Sequence, residues 1–150
     1  MQLVRVKKNF RRFLKYGILL STLGLVLSVL VQIYGRFFLA ASPPWTEEAS
    51  RLFFIYTVAF GAAPAFADGY FIALDLLPGS VPDVWRERLA VFVRYFIVVF
   101  CAVLTVYATR FVLLGMAERS PGMGLRMGWV FLSVALLFGT MALVGGASRR

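Results

Sequence analysis

Long apolar runs without acidic side chains constrain this chain more than any other feature of it. Residues 16–35 hold no charge and lie between Lys15 and Arg36. Residues 52–67 are uncharged too, and Ala49, Ser50 and residues 69–74 lengthen that run. Residues 89–117 are interrupted only by Arg94 and Arg110, and residues 127–148 lie between Arg126 and Arg149. A helix of about 20 apolar residues crosses a hydrocarbon core roughly 30 Å thick. In such a core the backbone must satisfy its own hydrogen bonds, which a helix does. The reading is an all-α integral membrane protein of four transmembrane helices with short loops. It forms one membrane domain over residues 1–150, with spans near 15–38, 47–72, 87–114 and 127–148.

Composition agrees and removes other classes. Hydrophobic side chains make up 61% and charged ones 15%, against about 45–50% and about 25% in soluble domains. A single soluble core of this chain length has no room for so much apolar surface. The chain has no histidine and one cysteine, Cys101. Histidine-ligated haem, the usual zinc sites and Ser-His or Cys-His nucleophiles are therefore missing. An internal disulfide is excluded as well. We expect no catalytic residues, no metal and no cofactor, and hence no enzyme.

The first apolar run follows a basic segment, as in a secretory signal peptide. Signal cores are only about 7–15 residues long, however, and Leu39, Ala40 and Ala41 make a poor cleavage site. The first helix is expected to be retained. With four spans both termini share one side, together with the second loop. That side carries Arg5, Lys7, Lys8, Arg11, Arg12 and Lys15, then Arg86, Arg88 and Arg94, then Arg149 and Arg150. The other side carries Arg36, Arg51, Arg110, Arg119 and Arg126. The positive-inside rule puts both termini in the cytoplasm. The net charge of +9 is thus explained by membrane edges and anionic lipid headgroups rather than by nucleic acid. Tyr16, Tyr70 and Trp85 near one face, and Tyr34, Trp45 and Trp129 near the other, fit interfacial belts.

Small residues Gly17, Ser21, Gly24, Ser28 and Gly35 line one stripe of the first helix. Such a stripe lets another helix come close, either in the same chain or in a partner. Pro64 removes a backbone donor inside the second span, and a kink is expected there. Arg94 and Arg110 bracket fifteen uncharged residues, about 22 Å of helix. Either both snorkel to the interfaces, or Arg94 pairs with an acid such as Asp75, Glu87 or one from another subunit. Pro43 and Pro44 stop the first helix, and Thr46 is the expected N-cap of the second. Glu47 and Glu48 then sit in its first turn, where acids are favourable, and Glu47 can pair with Arg51 four residues on. Asp83 is expected to cap a helix beginning at Trp85. Residues 118–126 form a glycine-rich turn.

In this order the segments resemble the small membrane subunit, of the DctQ type, of tripartite ATP-independent periplasmic (TRAP) transporters. Trp45, Thr46, Glu47 and Glu48, followed by Arg51, resemble the family's tryptophan-threonine-glutamate-glutamate signature after the first span. Leu74, Asp75, Leu76 and Leu77 before Pro82 resemble the close of its second span. Arg119, Ser120 and Pro121, then Met127, Gly128, Trp129 and Val130, resemble the approach to its fourth. Phe71 stands where members often have histidine, and Arg126 where they often have proline.

The resemblance implies a scaffold in the bacterial inner membrane, paired with a large permease that holds the substrate and sodium sites and moves as an elevator. A periplasmic binding protein would deliver the organic acid. Trp45, Glu47, Glu48, Arg51, Asp75, Arg94, Ser120 and Pro121 are the candidate contacts with these partners. Gly17, Ser21, Gly24 and Ser28 are the candidate helix-packing residues. Two other readings of the residues compete. One is a self-sufficient small homodimeric transporter, disfavoured by the lack of an acid mid-span. The other is a cofactor-free membrane anchor of an enzyme complex.

Overall fold

The computed structural model describes residues 2–38, 43–68 and 83–147. They form four helices: α1 (Gln2–Phe38), α2 (Pro44–Ala67), α3 (Asp83–Gly115) and α4 (Met127–Ala147). Each holds a stretch long and apolar enough to cross a membrane: Asn9–Phe38, Pro44–Ala67, Arg88–Gly115 and Met127–Gly146.

Three helices differ in their bounds from the sequence expectation. The basic segment does not precede the first helix but belongs to it. At 37 residues α1 is about 55 Å long, well beyond the hydrocarbon thickness. Lys, Arg and Leu are good helix formers, and no glycine or proline interrupts the segment before Gly17. The second helix starts at Pro44 rather than residue 47 and ends at Ala67, with Asp68 as its C-cap; residues 69–72 lie outside the described residues. The helix continues through Pro64. Asp83 already lies within α3 rather than in front of it.

The helices pack in single file: α1 on α2, α2 on α4, and α4 on α3. Burial follows from that order. The apolar windows of the two middle helices, α2 and α4, are 28% and 22% buried, while those of α1 and α3 at the edges are 11% and 6% buried. Neighbours alternate in direction where the contacts require it. Gly17 faces Phe60 and Gly24 faces Phe53, so α1 and α2 are antiparallel. Tyr56 meets Trp129 and Phe66 meets Gly145, so α2 and α4 are parallel. Gly115 faces Phe131 and Gly139 faces Thr105, so α3 and α4 are antiparallel. The start of α1 and the end of α4 therefore lie toward one end of the molecule, here called proximal.

Close packing holds the row together, since lipid tails give apolar helices little hydrophobic reason to associate. The small stripe of α1 faces α2, with Ser21 and Ser28 buried. A Cβ on Gly17 would sit 2.7 Å from the Phe60 ring, and one on Gly24 would sit 2.6 Å from that of Phe53. On the other side of α2, Ala59 and Ala63 are fully buried. A core of Ala62, Phe66, Cys101 and Met141 marks where α4 lies between α2 and α3. The buried serine and threonine hydroxyls within the spans bond inside their own helices. Ser21 donates to the Gly17 carbonyl, Ser28 to that of Gly24 and Thr140 to that of Leu136. Among the described residues no buried side-chain nitrogen or oxygen lacks a partner.

Candidate functional site

The distal end, where α2 and α4 begin, carries the most elaborate polar construction. Pro43 is the N-cap of α2, in extended conformation, and makes no side-chain capping bond. Pro44 takes the first helical position, where its fixed φ suits the helix and its missing N–H is not needed. This corrects the expectation for Thr46. It lies inside the first turn, fully buried, and its Oγ1 donates back to the Pro43 carbonyl at 2.7 Å.

The two acids that follow point to different places. Glu47 pairs with Arg51 on the surface, both side chains more than half exposed. Glu48 turns inward to the loop between α3 and α4. Its Oε2 accepts hydrogen bonds from the Ser120 hydroxyl and, at 2.8 Å, from the Met123 N–H. Its Oε1 accepts one from the Gly122 N–H at 2.8 Å. Hydrogen bonds to a charged acceptor are shorter and stronger than neutral ones, and successive backbone N–H groups in a turn form a concavity suited to an anion.

The loop is shaped to present these donors. Arg119 and Arg126 form an antiparallel bridge. The Ser120 N–H donates to the Leu125 carbonyl at 2.8 Å, and the Met127 N–H to that of Glu118 at 3.0 Å. Gly124 closes the turn at φ +66°, a left-handed conformation that costs other residues roughly 1–2 kcal/mol. Gly122 is needed for a different reason: a Cβ there would lie 2.8 Å from the Glu48 carboxyl carbon. Two turns along α2, the Tyr56 hydroxyl donates to the Trp129 carbonyl at 2.8 Å, fastening the start of α4 as well.

The structure thus brings Glu48 and Ser120 together, with Pro121 exposed beside them. Trp45 is 43% exposed and shares the open distal surface with Glu47 and Arg51. Arg94 lies toward the proximal end, where it reaches the Gly145 carbonyl of α4 at 3.5 Å. Asp75 and the side chain of Glu87, its expected partners, lie outside the described residues. The amides of Gly122 and Met123 and the hydroxyl of Tyr56 were not anticipated; the glycine-rich turn was their only trace in the sequence. Among the described residues no three His, Cys, Asp or Glu side chains gather as a metal site.

Fold and site define a small helical membrane protein whose distal polar cluster joins its own helices. The profile of the DctQ component of tripartite ATP-independent periplasmic transporters matches residues 25–148. The chain belongs to that family. A Haemophilus influenzae protein provisionally named a TRAP transporter small permease protein is 20% identical over 136 residues, covering 89% of this chain and 81% of that protein.

Proposed function

We propose that this chain is the scaffold subunit of a TRAP transporter in a bacterial inner membrane. It steadies a large sodium-coupled permease that imports carboxylates handed over by a periplasmic binding protein. The observation that carries the reading is the family match across residues 25–148. The single-file helices support it, because a row with two bare edge helices offers broad apolar faces to a membrane partner. So does the absence of any acid between Arg51 and Ala67, or anywhere in α1 and α4, since ion-coupled transport draws on intramembrane charges.

In this proposal the proximal end faces the cytoplasm, the side to which the sequence assigns eleven basic residues against five. The distal end, with Trp45, Glu47 and Arg51, then faces the periplasm and meets the large subunit or the delivering protein. Glu48 serves that surface indirectly by holding the α3–α4 loop in place.

The test is reconstitution. Liposomes with the large subunit, the binding protein and this chain should take up substrate under a sodium gradient. Liposomes with this chain alone should move none, and omission of this chain should sharply reduce uptake. Full uptake without it contradicts the proposal.

A further inference from the structure

An apolar groove of about 420 Å³ lies between α1 and α2. Phe13, Tyr16 and Leu20 line it from α1, and Leu52, Tyr56 and Phe60 from α2. The α1 wall, Phe13 to Ser21, is about 12 Å long at helical rise. Two of the groove's hydroxyls are bonded to backbone carbonyls. Ser21 donates to the Gly17 carbonyl, and Tyr56 donates to that of Trp129. The slot is apolar along its length and suits a hydrocarbon chain.

The proximal mouth is basic. Asn9, Arg12 and Tyr16 follow one another at spacings of three and four, so they share the stripe that leads into the groove. Arg11, Arg12 and Lys15 are exposed. Among the described residues only Arg11 of these has an ion-pair partner, Asp68 at 3.4 Å. Arg12 and Lys15 stand just before the uncharged run that opens at Tyr16. This is headgroup depth, and Tyr16 suits the same level.

We propose that this groove is a binding site for an anionic glycerophospholipid. One acyl chain lies between Phe13 and Leu20 on α1 and Leu52 and Phe60 on α2. The headgroup phosphate meets the Arg12 guanidinium. The site requires only that the chain is embedded in a bilayer, and it stands apart from the transporter reading.

The full-length protein, reconstituted with phosphatidylglycerol or phosphatidylcholine carrying a photoreactive group in the acyl chain, tests this by mapping the labelled peptides. Label from phosphatidylglycerol should concentrate on residues 13–21 and 52–60 and exceed that from phosphatidylcholine. Arg12→Gln should reduce the phosphatidylglycerol label about fivefold, as expected for one basic residue near the surface, and leave the phosphatidylcholine label unchanged. Leu20→Trp fills the groove from a side chain that is 68% exposed, so the helices still form; it should lower groove labelling by both lipids. Equal labelling by the two lipids, insensitive to Arg12→Gln, overturns the site. So does label spread evenly over the outer faces of α1 and α3. Groove label that vanishes in the complex isolated from native membranes shows a protein covering it, and overturns the site as well.

Discussion

Glu48 and Ser120 are joined side chain to side chain although 72 residues separate them. The bond links the first turn of α2 to the loop that feeds α4, and the Gly122 and Met123 amides converge on the same carboxylate. The two central helices of the row are thereby fixed to each other at the distal end.

Replacing Glu48 by alanine should free the loop. The Gly122 and Met123 amides lose their acceptor, and trypsin should cut faster at Arg119 and Arg126. Glu48→Gln should rescue only in part, because its amide group presents donors where the carboxylate offered an acceptor. Limited proteolysis in mild detergent reads this directly. Unchanged cleavage in Glu48→Ala contradicts the latch.

Glu47 gives the contrasting case. Its pair with Arg51 is exposed, and such pairs contribute under about 1 kcal/mol. Glu47→Ala should therefore leave thermal stability within about 1 kcal/mol of the parent. If the distal surface is a partner contact, uptake should still fall at normal expression. Normal uptake by Glu47→Ala removes that residue from the proposed interface.

Two glycines should respond in opposite ways. Gly24→Leu drives a side chain into the Phe53 ring, whose nearest atom is 2.6 Å from the position of a Cβ. Overpacking of this kind costs about 1–3 kcal/mol. A Cβ on Gly61 meets nothing within 4 Å, so Gly61→Ala should be neutral or stabilise α2 by up to about 1 kcal/mol. Unfolding in mixed detergent micelles compares them.

Gly124 is constrained by backbone alone, with φ +66° and open space around its Cβ position. Gly124→Ala should destabilise the loop by roughly 1–2 kcal/mol. Gly124→Asn should fall between, because asparagine tolerates the left-handed region better than alanine. Thermal unfolding that ranks alanine level with glycine contradicts the conformation.

The four helices were legible because charge is absent where lipid must be, and charged residues mark the ends. The N-terminal extension of α1 was not, since Lys and Arg favour helix but register as polar. Thr46 misled because threonine is a common N-cap, whereas the Pro43–Pro44 pair starts the helix with a preset backbone. The order of the row was hidden for another reason. Helices apolar on all sides carry no stripe that names their neighbour, so only the Gly17–Ser28 stripe of α1 signalled a contact, without saying which helix would fill it. Glu48 was visible as an acid in a first turn, but its donors come from a loop whose shape depends on Gly122 and Gly124.

The central claim, a scaffold bound to a larger permease, is tested most directly by tagging this chain and identifying what co-purifies from mildly solubilised native membranes. The account predicts a larger multispan membrane protein at fixed stoichiometry. Recovery of the 150-residue chain alone, as a stable homo-oligomer that moves substrate in liposomes, contradicts it.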